Sequence, residues 1–432
     1  MVSKQLPLFS GVFKLNDKST ADRSSTFVDN MQLPIHRWFR YSAGFSAQWV
    51  EQEIRQAMSG GMVQLLDPFA GAGTTLLEGE RCGIPVRGVE AHPFVCRIAR
   101  ARLAWRESPD RFWELAQEVN RLAQRQGGDV DGYPDLVVRC YPPQTLAALD
   151  ALKRAWKVYN DGSPLSELVW LALVAILRVC SPVGTAQWQY VLPRKEKKEM
   201  MPPDVAFQIQ VSNMAADMRW RQQMPWGEPA RIFQEDARVC PSLPDGWATL
   251  VITSPPYTNN YDYADATRLE MSFWGEVSNW GELQQKVRRF LIRSCTQHVA
   301  AEKLELDEIL QDANLTPIVD ELRQQCKLLA EERLLHGGKK PYHLMIAAYF
   351  SDLARVWKTL RRVIAEGGRA CFVVGDSAPY GIYVPVDRWL GELAIAAGFR
   401  SYYFEKIRDR NVKWKNRKHR VPLHEGRLWV EG

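Results

Sequence analysis

The sequence predicts an α/β fold, with helices on both faces of a doubly wound, mostly parallel sheet. A strand, a glycine-rich loop, a helix and a second strand follow one another over residues 62–90. Two more apolar stretches, at residues 230–236 and 248–253, are short runs bounded by polar or turn residues, as buried strands are. A long amphipathic helix over 342–364 then precedes another strand over 369–374. This alternation of strands and helices is typical of a Rossmann-like sheet.

Length and composition favour a soluble globular protein with two domains, or with one core and large insertions. The chain has 432 residues and is 46% hydrophobic, and no apolar run approaches the roughly 18 residues of a membrane span. We read no secretory signal near Met1 and expect a cytoplasmic protein. The eight cysteines are scattered singly, which favours reduced thiols, and the seven histidines show no ligand spacing, so we predict no metal. A net charge of +6 permits a polyanionic partner.

Changes in pattern along the chain predict its organisation. The polar, pattern-poor start indicates an arm, and the two insertions carry apolar residues at helical spacing. We expect Gly367-Gly368 to end the last long helix. The predicted segments are an N-terminal arm (1–34), a first core segment (35–108), a helical insertion (109–229), a second core segment (230–270), a second helical insertion (271–340) and a C-terminal core segment (341–432).

The loop from Asp67 to Thr75 is the first candidate site. Gly71 and Gly73 allow a tight turn close to a ligand, and the N-terminus of the following helix offers free N–H groups to an anionic end. The next strand ends at Glu90, about 20 residues on, where an acid can hold a ribose diol. Dinucleotides and S-adenosylmethionine both suit this geometry.

The details of this loop argue against two nucleotide-binding classes. The third glycine of the GxGxxG pattern is missing, and Thr74-Thr75-Leu76 stands in its place, which disfavours NAD. The GxxxxGK[ST] run of a P-loop is also absent from the sequence. These two differences leave S-adenosylmethionine as the preferred cofactor.

The second candidate site is the tetrapeptide Ser254-Pro255-Pro256-Tyr257, which follows the apolar strand. Two prolines fix the backbone and carry no N–H, so nearby carbonyls are free to accept hydrogen bonds from a ligand. Tyr257 adds a flat face suited to a planar heterocycle with an exocyclic amine. Alone, this pattern more often marks a proline-rich turn with a core tyrosine. The glycine loop upstream changes that interpretation.

Together the two motifs resemble those of the S-adenosylmethionine-dependent DNA amino-methyltransferases. The segment from Asp67 to Thr74 is similar to the cofactor motif of that family, and the Ser-Pro-Pro-Tyr motif to its catalytic motif. Residues 36–45 are similar to the segment that lines the methionine end of the cofactor. The resemblance extends over residues 36–106, 230–265 and 341–432, about half of the chain. It implies a class I methyltransferase sheet and methylation of an exocyclic amine in double-stranded DNA.

The resemblance also implies the site residues. Glu90 would bind the ribose hydroxyls and Asp236 the adenine amine, and Tyr257 would stack on a flipped-out base. The catalytic group would be Ser254, Pro255, Pro256 and Tyr257. The cofactor site would contain Tyr41, Ser42, Asp67, Pro68, Phe69, Ala70, Gly71, Gly73, Thr74, Glu90 and Asp236. We predict that the base pocket is completed by Tyr261, Asp262 and Tyr263, although tyrosines of a surface loop fit this pattern equally well.

The chemistry can be stated from the residues. An aromatic amine is a weak nucleophile, and hydrogen bonds from its two protons to Ser254 and to the Pro255 carbonyl would aim its lone pair at the methyl group. Methylation at carbon 5 of cytosine would need a cysteine after a proline, and the sequence has no Pro-Cys dipeptide. In the family, serine at the first motif position is most common in N4-cytosine enzymes, and Asp or Asn in N6-adenine enzymes. We therefore predict N4 of cytosine, with N6 of adenine as the alternative.

The order of the motifs leaves the subclass open. In many N4-cytosine enzymes of the family the catalytic motif precedes the glycine loop, whereas here it follows. A tRNA or rRNA amine methyltransferase and a non-catalytic DNA-binding protein on the same scaffold are further alternatives. The resemblance also permits a cognate restriction endonuclease that acts separately.

A basic C-terminal segment is predicted to contact DNA phosphates, since one acid, Asp409, opposes many cations there. Its residues are Lys406, Arg408, Arg410, Lys413, Lys415, Arg417, Lys418 and Arg420. The mixed charges of residues 194–199 favour a solvated loop, although residues 187–190 just before them could reach a groove. Either insertion could read the DNA sequence, and we favour 109–229.

Overall fold

The computed structural model describes residues 27–186, 190–197, 199–258, 261–300, 302–410 and 421–432. Its strands are β1 (Leu65–Asp67), β2 (Val86–Val89), β3 (Val183–Thr185), β4 (Val191–Glu196), β5 (Arg231–Phe233), β6 (Ala248–Thr253), β7 (Ile364–Gly375), β8 (Ser401–Arg410) and β9 (Leu423–Glu431). Strands β3 and β4 pair as a separate antiparallel ribbon. The other seven form the central sheet.

The central sheet has the order β5-β2-β1-β6-β7-β9-β8. Its neighbours are parallel except for β9, which is antiparallel to both β7 and β8. Without β9 the strands keep the 3-2-1-4-5-6 order of a doubly wound nucleotide-binding sheet. The predicted Rossmann-like fold is therefore confirmed, with one reversed strand inserted near the edge.

Helices surround this sheet and form the insertions. They are α1 (Ala47–Met58), α2 (Thr74–Cys82), α3 (Pro93–Leu103), α4 (Pro109–Gln126), α5 (Asp135–Cys140), α6 (Pro143–Tyr159), α7 (Pro164–Cys180), α8 (Pro203–Gln222), α9 (Arg268–Trp274), α10 (Trp280–Lys286), α11 (Thr296–Ala300), α12 (Leu306–Leu310), α13 (Val319–Leu335), α14 (Tyr342–Val363) and α15 (Val386–Ala396). In the described part of the chain, none of them is long and apolar enough to cross a membrane.

Side chains alternate between the two faces of the sheet. Leu250 and Ile252 of β6 join a core with α1 and α2, and Val251 between them joins a core with α13, α14 and α15. Successive strand residues point to opposite faces, so both faces of β6 are buried. A third core is formed by the helices α4 to α8 together with α3. The predicted helical layers on both faces are thus confirmed.

Two local features differ from the sequence prediction. Strand β7 begins at Ile364, directly after α14, so Gly367-Gly368 lies inside the strand instead of ending the helix. Gly367 has a φ of +74°, and the pairing of β6 with β7 shifts register there, which identifies an irregular strand start. The β3–β4 ribbon was not predicted within the helical stretch 109–229. Its apolar residues are too few to give a clear alternating pattern.

Candidate active site

A cleft opens at the carboxyl ends of β1, β2, β5 and β6, where ligands bind in doubly wound sheets. The empty volume of the cleft is about 580 Å³, including the space at its opening to solvent. The structure brings residues from both predicted motifs to this cleft. They are Tyr41, Pro68, Phe69, Gly71, Glu90, Asp236, Ser254, Pro256 and Tyr263.

A second, adjoining cavity continues past the glycine loop. It shares Tyr41, Phe69, Gly71 and Ser254 with the first and extends to Ala70, Thr74 and Arg102. Burial lowers the pKa of the Arg102 guanidinium to about 9, although it donates to the carbonyl oxygens of Ala72 and His36 at 2.8 and 2.6 Å. Ser254 borders both cavities, so the catalytic motif lies at their junction.

Glycine is required in the loop by its geometry. Gly71 and Gly73 have φ angles of +52° and +87°, in the left-handed region that favours glycine. A Cβ atom on Gly71 would lie 3.1 Å from the ring of Tyr41. Gly73 is the N-cap of α2, and the first N–H groups of that helix have no acceptor within the helix. Ser42 is half-buried beside Tyr41.

The Asp67 side chain holds the glycine loop in place through hydrogen bonds. It is buried and accepts hydrogen bonds from the Phe69 backbone at 3.0 Å and from the hydroxyls of Thr75 and Thr253, both at 2.6 Å. Burial raises the pKa of Asp67 to about 6, and these hydrogen bonds partly oppose the rise. Because Thr253 directly precedes Ser254, Asp67 joins the glycine loop to the catalytic motif.

Glu90 holds the loops at the end of β2. Its carboxylate accepts from the backbone N–H of Gly71 at 2.8 Å and from that of His92 at 2.7 Å. Burial, with a contribution from the charge of Asp67, raises the pKa of Glu90 to about 7. Each carboxylate oxygen keeps a further lone pair, so Glu90 can also accept from two hydroxyls of a ligand in the cleft.

Asp236 reaches the cleft from the end of β5. Its carboxylate pairs with Arg238 at 2.6 Å, and Arg238 also donates to the buried Asp352 at 2.9 Å. The charge of Asp236 is therefore balanced inside the protein. Both of its oxygens accept from Arg238, through the backbone N–H and Nε at 2.9 Å and through Nη2 at 2.6 Å, so an amine in the cleft would share these oxygens with Arg238.

The predicted catalytic motif is held by neighbouring strands. The Ser254 hydroxyl donates to the carbonyl oxygen of Val373 in β7 at 3.3 Å, and Pro255 is buried. The backbone N–H of Tyr257 donates to the Tyr263 hydroxyl at 3.1 Å, and the Tyr257 hydroxyl donates to Glu425 at 3.4 Å. These contacts fix the orientation of the tetrapeptide.

The three predicted base-pocket residues occupy different environments. Tyr263 lines the cleft, and Tyr261 packs edge-on against it with ring centroids 5.3 Å apart. The Asp262 carboxylate is buried in an ion pair with Arg288, and the Asp262 backbone N–H donates to the hydroxyl of Tyr190 at the start of β4. The structure thus brings the two tyrosines together and engages Asp262 within the protein.

The predicted phosphate-binding residues are described in part. Lys406 pairs with Asp409 at 2.7 Å, and Arg408 and Arg410 approach Glu425 at 2.9 and 3.8 Å. The guanidinium of Arg410 also lies 5.3 Å from the ring centroid of Tyr257. Lys413, Lys415, Arg417, Lys418 and Arg420 lie outside the described residues. So do residues 187–189 of the predicted groove-contacting stretch.

One wall of the cleft was not predicted from the sequence. Phe290, Leu291 and Ile292, from the insertion between α10 and α11, line it opposite the core strands. The only sequence signal is an apolar triplet flanked by arginines, Arg288-Arg289 and Arg293. Such a triplet does not by itself indicate a ligand.

Two groups of side chains have metal-ligand spacing within the described residues: Asp262 with Cys295 and His298, and Asp376 with Asp387 and His424. In the first group the carboxylate is paired with Arg288, and in the second His424 Nδ1 lies 2.7 Å from Asp376. Ion pairs thus account for the second group and for the Asp262 carboxylate, whereas both ring nitrogens of the buried His298 have no hydrogen-bond partner among the described residues. The absence of a metal stays a prediction.

The sheet order and the cleft at its carboxyl edge define a Rossmann-like methyltransferase fold. No family model matches the chain. It is 25% identical over 418 residues to the type II methyltransferase M.AvaI of Nostoc sp. (strain PCC 7120 / SAG 25.82 / UTEX 2576), covering 88% of this chain and 82% of that protein. It is 23% identical to M.BsoBI of Geobacillus stearothermophilus (89% and 82% covered) and 20% identical to M.MvaI of Kocuria varians (90% and 87% covered). The chain is thus similar over most of its length to these type II methyltransferases, and the predicted family resemblance is confirmed at that level.

Proposed function

We propose that the protein is a site-specific DNA methyltransferase that transfers the methyl group of S-adenosylmethionine to N4 of cytosine. One observation carries the proposal. Ser254 and Pro256 of the catalytic motif line the same cleft as Glu90, Asp236 and Gly71 of the cofactor motif. A methyl donor and a planar amine acceptor can therefore meet in one site.

The residues of the cleft fit S-adenosylmethionine. Glu90 offers carboxylate oxygens to a ribose diol, Asp236 offers an acceptor to an adenine amine, and Phe69 offers an aromatic face. The N-terminus of α2, with Gly73 as its N-cap, suits the carboxylate of the methionine end. When bound, the cofactor supplies an electrophilic methyl group on a sulfonium.

The Ser254 hydroxyl is suited to accept a hydrogen bond from the target amine. Its single proton is directed to the Val373 carbonyl or to the Tyr257 hydroxyl, so its lone pairs suit an N–H donor in the cleft. With the Pro255 carbonyl as a second acceptor, both amine protons are held and the nitrogen lone pair is freed from the ring. The nitrogen would then attack the methyl carbon, so that the N–C bond forms while the C–S bond breaks with its electron pair left on sulfur. The extra proton on the nitrogen would pass to water.

The substrate assignment follows from the target amine and the relatives. An amine inside a duplex is unreachable, so the base must leave the stack, and Tyr257 is the proposed platform for it. The type II designation of the relatives supports DNA as the substrate, and a separately acting restriction endonuclease remains part of the hypothesis. We propose that the insertion 109–229 contains the sequence-reading element, and that the segment 406–420 follows the phosphates.

The test is nucleoside analysis of plasmid DNA and total tRNA, incubated separately with the purified protein and S-adenosylmethionine carrying a labelled methyl group. Label in N4-methyldeoxycytidine is the expected result. Label in N6-methyldeoxyadenosine would correct the base, and label in tRNA alone would replace DNA by RNA as the substrate. A protein that binds the cofactor and labels neither nucleic acid would be the non-catalytic alternative.

A further inference from the structure

The segment of residues 288–293 forms a wall of the cleft from outside the central sheet. Its middle residues, Phe290, Leu291 and Ile292, line the cleft, and Phe290 is 39% exposed. An arginine stands at each end of the segment, Arg288 and Arg293. The partners of these two arginines show what the wall is attached to.

The first end is attached to the predicted base pocket. Arg288 is 4% exposed and pairs with Asp262, which is 5% exposed, with Nε at 3.0 Å from Oδ2 and 3.2 Å from Oδ1. Asp262 stands between Tyr261 and Tyr263, and the Tyr263 hydroxyl holds the backbone of Tyr257. A buried, bidentate pair of this kind fixes the relative position of the two segments.

The second end is attached to the predicted adenine-binding acid. Arg293 donates to the fully buried Asp352 through its backbone N–H and Nε, both at 3.0 Å, and through Nη2 at 2.7 Å. Asp352 also accepts from Arg238 at 2.9 Å, and Arg238 pairs with Asp236. The segment therefore has charge-assisted links to both halves of the site.

We propose that the 288–293 segment couples cofactor binding to the base pocket, with Arg288 and Arg293 as positioning residues; this inference rests on the proposed function. A cofactor packed against residues 290–292 fixes the segment, and the Arg288 pair then fixes residues 261–263 for the incoming base. Because such coupling is reciprocal, bound DNA tightens the cofactor to the same degree as the cofactor tightens DNA.

The test measures the dissociation constant of S-adenosylhomocysteine by calorimetry, with and without saturating linearised plasmid DNA. For the unchanged protein we expect DNA to lower this constant about fivefold or more. In Arg288→Gln the ratio of the dissociation constants without and with DNA should fall to about one, because the segment loses its link to Asp262. Arg268→Gln is the matched control. Arg268 pairs with Asp265 at 2.6 Å and stacks on Trp280, as Arg288 does, but it belongs to α9 and should keep the ratio.

If the unchanged protein methylates DNA but DNA does not alter the dissociation constant of S-adenosylhomocysteine, the coupling is refuted and the proposed function stands. The coupling is also refuted if folded Arg288→Gln keeps the effect of DNA on this constant. If the protein methylates no DNA, the proposed function fails, and the coupling to DNA fails with it. Hydrogen exchange on the unchanged protein keeps the proposal testable if Arg288→Gln does not fold. S-adenosylhomocysteine alone should slow amide exchange in residues 261–265 as well as in the glycine loop. Slower exchange in the glycine loop alone contradicts the coupling.

Discussion

The acidic side chains in the two halves of the cleft are stabilised in different ways. At the ends of β1 and β2, Asp67 and Glu90 are held by backbone N–H and hydroxyl donors, and no cation pairs with them among the described residues. On the side of the catalytic motif, Asp262 pairs with Arg288, and Glu425 pairs with Arg408. Asp67 and Glu90 are thus stabilised by dipoles alone, whereas Asp262 and Glu425, like Asp236 at the end of β5, are stabilised by full charges.

We call the half with Asp67 and Glu90 the responsive half, because its acids titrate near neutral pH. The half with the Ser254 motif is the preorganised half, because polar contacts hold it in place. Burial without a cation raises the pKa of Asp67 to about 6 and that of Glu90 to about 7, so both acids titrate near neutral pH. On the catalytic side, the Ser254 contact to Val373 and the Tyr257 contact to Glu425 hold the tetrapeptide in place. Cofactor affinity should therefore depend on pH, and methyl transfer should depend on the positions of fixed polar groups.

The largest expected effect tests the preorganised half. Ser254→Ala removes one acceptor for the target amine and should lower kcat for methyl transfer by about 10²–10³-fold. The dissociation constant of S-adenosylmethionine should change less than about threefold, because the proposed partner of the hydroxyl is the target amine and not the cofactor. Single-turnover kinetics and calorimetry measure the two quantities. Ser59→Ala, at the exposed end of α1, is the control, and an equal loss of both quantities in Ser254→Ala would refute the role of the hydroxyl.

The second prediction tests the responsive half. Glu90 is mostly protonated below about pH 7, and ribose hydroxyls bind best to its ionised form, so binding releases a proton and affinity rises with pH. Between about pH 6 and pH 8 the cofactor dissociation constant should fall about tenfold. Glu90→Gln should bind more weakly and without this pH dependence. A pH dependence that survives in Glu90→Gln would assign the titration to another group.

The third prediction concerns the support of Tyr257. Arg410→Gln removes the cation that lies 5.3 Å from the Tyr257 ring centroid and should raise KM for DNA about two- to fivefold. Arg400→Gln, at the opposite end of β8, removes an exposed ion pair with Glu366 and should leave KM unchanged. Steady-state kinetics on plasmid DNA measure KM for both variants. Equal KM values for the two variants would mean that Arg410 does not support the platform.

The smallest effect is expected from Arg408. If it contacts one phosphate, Arg408→Gln should reduce the slope of log affinity against log salt by about one, with a modest loss at any single salt concentration. The measurement is DNA affinity over a salt series, with Arg400→Gln again as the control. An unchanged slope would show that Arg408 serves only its partner Glu425.

The parts of the fold that depend on residues close together in the sequence were predictable. The unit over 62–90 carries its own signals, and the rule that ligands bind at carboxyl ends of parallel strands selects Glu90 and Ser254 without knowledge of the structure. The order of strands and the reversed β9 depend on pairing between distant segments. Gly367-Gly368 was misassigned because an irregular strand start uses the same residues as a helix end.

The remaining parts of the site depend on how the insertions fold back. The segment that contains residues 290–292 is held at the cleft by the pairs of Arg288 with Asp262 and of Arg293 with Asp352, which join positions 26 and 59 residues apart. Local sequence patterns contain no information on such pairings. The same holds for Tyr190, whose hydroxyl meets Asp262 across 72 residues.

The most direct test of the account is the methylation pattern that the protein produces in cells. The protein and its Ser254→Ala variant would be expressed in a host lacking other DNA methyltransferases, and the base modifications read by single-molecule sequencing of the genome. We expect N4-methylcytosine at one sequence motif with the unchanged protein and none with Ser254→Ala. Unmodified DNA in both strains, or modification that persists in Ser254→Ala, would contradict the central claim that this serine directs methyl transfer to an exocyclic amine of DNA.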